Sequence, residues 1–111
     1  MIRAKAILDS NSNYKAFSIT GHAEYAEHGS DIVCASVSVL VINTGNAIEQ
    51  LTNTNFEATQ EDNMINFIFK EPPDEKSKLL MDAMILGLNE IQKSYGKKYL
   101  KLETEKISGG N

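Results

Sequence analysis

The chain has 111 residues, 41% of them hydrophobic and 23% charged, which suits one globular core and excludes wholesale disorder. A formal charge of −4 argues against nucleic-acid binding, which needs a basic face to displace counterions from phosphates. The single cysteine, Cys34, cannot close an intramolecular disulfide and stands in no metal-ligand spacing, so neither a disulfide framework, a metal centre nor a cofactor is expected.

Arg3 and Lys5 are not followed by an unbroken apolar stretch, so no secretory leader is expected. The longest purely apolar run, Val39-Leu40-Val41-Ile42, is far short of a membrane span. The expected location is therefore the cytoplasm, without membrane contact.

In chain order, residues 1 to 9 alternate Ile2, Ala4, Ala6 and Leu8 with Arg3, Lys5 and Ile7, the pattern of a half-buried strand. The cluster Asp9-Ser10-Asn11-Ser12-Asn13 predicts a turn, and residues 14 to 20 alternate again, so the two strands form a hairpin that ends at Gly21 and His22. Residues 23 to 30 are polar, include Gly29 and Ser30, and show no apolar period; they read as a mobile loop with little to anchor it.

Residues 31 to 51 carry valines at strand spacing, yet the stretch is too long for an ordinary strand, and Ala47, Ile48 and Leu51 continue at helical spacing. The reading is a helix with Asp31 as its N-cap and Cys34 at the third helical position, although Gly45 inside it costs about 1 kcal/mol relative to alanine. A second hairpin is predicted from Phe56 to Lys70 around Gln60-Glu61-Asp62-Asn63. Pro72-Pro73-Asp74 opens a second helix whose buried side is assigned to Leu79, Leu80, Ala83, Met84, Leu86, Leu88 and Ile91, with Gly96 as its stop. Residues 99 to 105 give a last strand. The order is ββαββαβ, an α+β design of one mostly antiparallel sheet and two helices, as a single domain over residues 1–107 followed by a flexible tail at 108–111.

The chemistry centres on Gly21-His22-Ala23, Gly29 and Asp31-Ile32-Val33-Cys34-Ala35, with Ser38 one helical turn past the cysteine. A thiol at a helix start feels the positive end of the macrodipole, and a neighbouring imidazolium favours thiolate further. Free N–H groups there could receive the oxygen of a tetrahedral intermediate, and His22 could protonate the leaving amine. Asp31 has two roles open to it, capping the helix or orienting His22. The Ser38 hydroxyl either touches the site or bonds back to the backbone. Cys34 itself, judged on residue statistics alone, also fits inert packing, and His28 reads as solvent-exposed. A redox-sensing thiol would need a resolving cysteine from a partner.

The same residues resemble the signature of the ribosomal-processing cysteine proteases, Prp, of Firmicutes and related bacteria, and the likeness runs from the first hairpin to the last strand. The resemblance implies a His22/Cys34 catalytic dyad supported by Gly21, Asp31, Ala35 and Ser38. It also implies a homodimer, and a substrate that is the N-terminal extension of large-subunit ribosomal protein twenty-seven, cut after paired aromatic residues. The competing class is a non-catalytic dimeric interaction protein associated with the ribosome, in which the cysteine only packs.

Overall fold

The computed structural model describes residues 1–21 and 28–107, with the backbone alone for residues 28–31. The elements follow the expected order: β1 (Ile2–Leu8), β2 (Tyr14–Thr20), α1 (His28–Leu51), β3 (Phe56–Glu61), β4 (Met64–Phe69), α2 (Glu75–Tyr95) and β5 (Leu100–Lys106). The five strands form one sheet in the order β3-β4-β2-β1-β5, parallel only between β1 and β5.

The turn between β1 and β2 forms because the Asp9 carboxylate accepts hydrogen bonds from the Asn11 and Asn13 N–H groups at 2.8 and 3.0 Å, with Ser12 at φ 65°. Ile2, Ala4 and Ala6 of β1 and Phe17 and Ile19 of β2 then point into the core, as the alternation predicts. The turn between β3 and β4 is tighter than expected. Gln60 and Glu61 belong to β3, and the chain reverses at Asp62 and Asn63 with Asp62 at φ 38°.

The stretch whose valines left strand and helix in competition is helical, since Val33, Val37, Val41, Thr44 and Ile48 make one buried stripe at spacings of three and four. The segment Ile32–Leu51 is also long and apolar enough to cross a bilayer, which a reading by uninterrupted runs passes over; here its buried stripe packs against the sheet. Gly45 has a steric reason for its place, because a Cβ there would lie 3.0 Å from the Phe67 ring. Phe67 in turn packs against Phe17 and Phe56 at centroid distances of 5.7 and 5.8 Å.

The second helix is closed at both ends where the sequence places its signals. Asp74 accepts the Ser77 N–H at 2.8 Å, and the Gly96 N–H donates to the Gln92 carbonyl at 2.8 Å with Gly96 at φ 104°. Its buried side is Ser77, Met81, Met84 and Leu88. Leu79 and Leu86 are 70% and 66% exposed and Ala83 is exposed too, so three of the positions assigned to the core face outward. The physical reason is that the sheet and α1 cover a narrow stripe of α2, where Gly87 admits the Leu40 side chain of α1. The Tyr14 hydroxyl donates to Asp82 at 2.5 Å and ties β2 to α2, and burial raises its ionisation well above the usual phenol range.

Candidate active site

Cys34 is half-buried, and with Ser38 and Ile42 it forms one ridge of α1 at successive turns. This ridge borders a pocket of about 180 Å³ whose opposite wall is built by Gly21 at the end of β2 and by Gln60, Asn63 and Met64 of the second hairpin. The two hairpins are fastened to each other there, since the Gly21 N–H donates to the Asn63 carbonyl at 3.1 Å. Gly21 has φ 86°, and a Cβ on it would collide with the Met1 carbonyl oxygen, so only glycine fits directly after β2. The end of the first hairpin, the turn of the second and the helix that carries Cys34 thus meet at one place.

Ser38 behaves differently from its neighbours on α1. Ser36, Thr44 and Thr52 donate to the carbonyls four residues earlier at 2.8, 2.7 and 2.7 Å, whereas Ser38 makes no side-chain hydrogen bond among the described residues and lines the pocket.

Three expectations change. The helix begins at His28, not after an Asp31 cap, so Gly29 and Ser30 lie in its first turn rather than in a loop. Asp31 follows them inside the helix, and Cys34 is the seventh helical residue instead of the third. The macrodipole acts mainly within the first turn, and the N–H of a seventh residue is already committed to the carbonyl four positions back, so the Cys34 N–H is not one of the free helix-start donors. Ala35, expected to support the site, is exposed and does not line the pocket. His22 and Ala23, the side chains of Gly29 to Asp31, and the tail at 108–111 lie outside the described residues.

The hairpin wall was not legible as part of a site. Gln60, Asp62 and Asn63 read as turn residues, and their closeness to Cys34 is set by the β2–β4 pairing, a contact remote in sequence. Among the described residues no group of three or more His, Cys, Asp or Glu side chains could hold a metal ion.

Comparison with known proteins places this geometry. The family model of cysteine protease Prp matches residues 1–101. The chain is 33% identical over 101 residues to the ribosomal processing cysteine protease Prp of Bacillus subtilis strain 168, covering 86% of this chain and 90% of that one. It is 31% identical over 77 residues to the Prp of Staphylococcus aureus strain Mu50, covering 68% and 73%. Among solved structures, the S. aureus Prp in complex with a substrate peptide superposes with a TM-score of 0.87 at 22% identity, covering 95% of this chain and all of that one. SMU.848 from Streptococcus mutans gives 0.80 at 28% identity, covering 96% of each chain. The match over residues 1–101, on a fold that sets the lone thiol in an open pocket, makes this chain a member of the cysteine protease Prp family and a cysteine protease.

Proposed function

We propose that the protein hydrolyses a peptide bond through a thioester on Cys34, with His22 as base and then acid, and that its substrate is the N-terminal extension of large-subunit ribosomal protein twenty-seven. The observation that carries the reading is the shared pocket: Cys34 faces Gly21, the residue bonded to His22, across a cavity open to a peptide. The thiol attacks the carbonyl carbon, the imidazole transfers its proton to the leaving amine, and a water activated by the same imidazole releases the acyl group. Ser38, Gln60 and Asn63, which line the pocket with Cys34, carry side chains able to donate to the peptide carbonyl. The ribosomal substrate is carried over from the named activity of the B. subtilis relative, and a cytoplasmic location fits such a substrate.

The proposed assembly is a homodimer, supported by the outward apolar stripe of Leu79, Ala83 and Leu86 on α2 and by Val39, 69% exposed, on α1. Leu86→Glu is expected to yield a monomer with unchanged circular dichroism in sedimentation; a dimer that persists rejects this face as the interface.

The catalytic reading is tested by mass spectrometry of an aromatic-ended extension peptide after incubation. Cleavage is expected to fall at least about 10³-fold in Cys34→Ala. Cleavage retained by that variant overturns the assignment, and a wild-type protein that binds the peptide without changing its mass is an interaction module instead.

A further inference from the structure

The Cys34 pocket does not end at Ile42. A second trough of about 140 Å³ continues from it along the same side of α1, sharing Ile42, Gln60 and Ile65 with the first. It is walled by α1 as far as Glu49 and by Ala58 and Gln60 of β3, with Phe67 at its floor. The trough stays open for two reasons that are written in small residues. Gly45 lets α1 rest directly on the Phe67 ring, and Ala58 on the outermost strand leaves the far wall low.

Its charge has one sign. The two troughs are lined by Asp62 at the thiol end and Glu49 at the far end, and no lysine or arginine lines either of them among the described residues. Glu57, Glu90 and Glu105 are engaged by Lys70, Lys93 and Lys5, whereas Glu49 has no ion-pair partner among the described residues.

We propose that this second trough is a distal specificity subsite for the same peptide strand, in which Glu49 selects a lysine or arginine side chain about six or seven residues from the cleaved bond. The spacing follows from two rises. Cys34 and Glu49 are 15 residues apart on α1, which at about 1.5 Å per residue is about 22 Å, and an extended peptide covers about 3.3 Å per residue. The inference rests on Cys34 being the nucleophile, because that fixes where the cleaved bond lies.

The experiment compares kcat/KM for a short peptide, spanning about three residues on each side of the bond, with peptides lengthened on either side to carry lysine or alanine six or seven positions away. In wild-type protein the lysine peptide is expected to be favoured over its alanine counterpart by about two- to fivefold at low salt, the range of an exposed ion pair, and the preference should vanish near 0.5 M salt. Glu49→Gln should abolish the preference and Glu49→Lys should transfer it to a glutamate-bearing peptide, while all three proteins cleave the short peptide alike. Equal cleavage of lysine and alanine peptides by the wild type, on both sides, overturns the inference, as does a preference that survives Glu49→Lys. The peptide comparison in wild-type protein stands even if a variant fails to fold. Failure of the wild type to cleave even the short peptide would instead strike the catalytic reading, and so separates the two.

Discussion

The two ends of α1 spend their polar groups in opposite ways. At the C-terminal end Thr52 donates back to the Ile48 carbonyl at 2.7 Å, and the Ser77 hydroxyl lies 2.9 and 2.6 Å from those of Thr52 and Thr54. The Asp74 N–H donates to Thr54 at 3.2 Å, and the Asp74 carboxylate accepts from Ser77. Each hydroxyl there is bonded within the fold. Toward the other end Cys34 and Ser38 border an open pocket, and the Ser38 hydroxyl makes no hydrogen bond among the described residues. One end of the helix is closed on itself and holds it to α2; the other borders an open pocket.

The sharpest way to break this contrast is at Gly21, where both concerns meet. Gly21→Ala would hold an L side chain at φ 86° and drive its Cβ into the Met1 carbonyl. The backbone penalty alone is about 1–3 kcal/mol, so chemical denaturation is expected to show a loss of at least about 2 kcal/mol, with activity falling further than the folded fraction because the pocket wall shifts. Full stability and activity in this variant would mean that the turn is not fixed as described.

How much of this contrast could be read beforehand depends on whether the deciding contact is local. Pro72-Pro73-Asp74 and Gly96 announced the ends of α2 because helix ends are a matter of a few neighbouring residues, and the structure makes Asp74 the cap. The turn at Asp9 was legible for the same reason. The start of α1 was misplaced by four residues, since Asp31 matches cap preferences yet lies inside the helix. Leu79 and Leu86 were misassigned because periodicity reveals an apolar face without saying how much of it a neighbour will cover. The residues marking the site, Gly21, Cys34 and Ser38, were visible as a motif, whereas Gln60 and Asn63 arrive through strand pairing that no spacing announces.

A second variant sharpens the contrast from the structural end. Ser77 is fully buried, and Ser77→Ala removes a hydroxyl shared by Thr52 and Thr54. The expected cost is about 1–3 kcal/mol, read from denaturant midpoints, with kcat/KM per folded molecule unchanged. Reduced turnover in fully folded protein would show that the two ends of α1 are coupled rather than separate.

The smallest effect is a pH dependence confined to the closed end. Hydrogen bonding from the Ser77 N–H lowers the ionisation of the Asp74 carboxyl below its usual range, so the folded state binds its proton less readily than the unfolded chain. A depressed folded-state value contributes stability that is complete above the unfolded value, about 3.9, and is lost as the pH falls through the folded one. Asp74→Asn keeps a capping oxygen but has no proton to gain. Its melting temperature should therefore fall less steeply than that of the wild type between pH 5 and pH 2. Parallel curves would mean that the cap is held by geometry rather than by charge, leaving the hydroxyl cluster of Thr52, Thr54 and Ser77 as the polar fastening between the helices at that end.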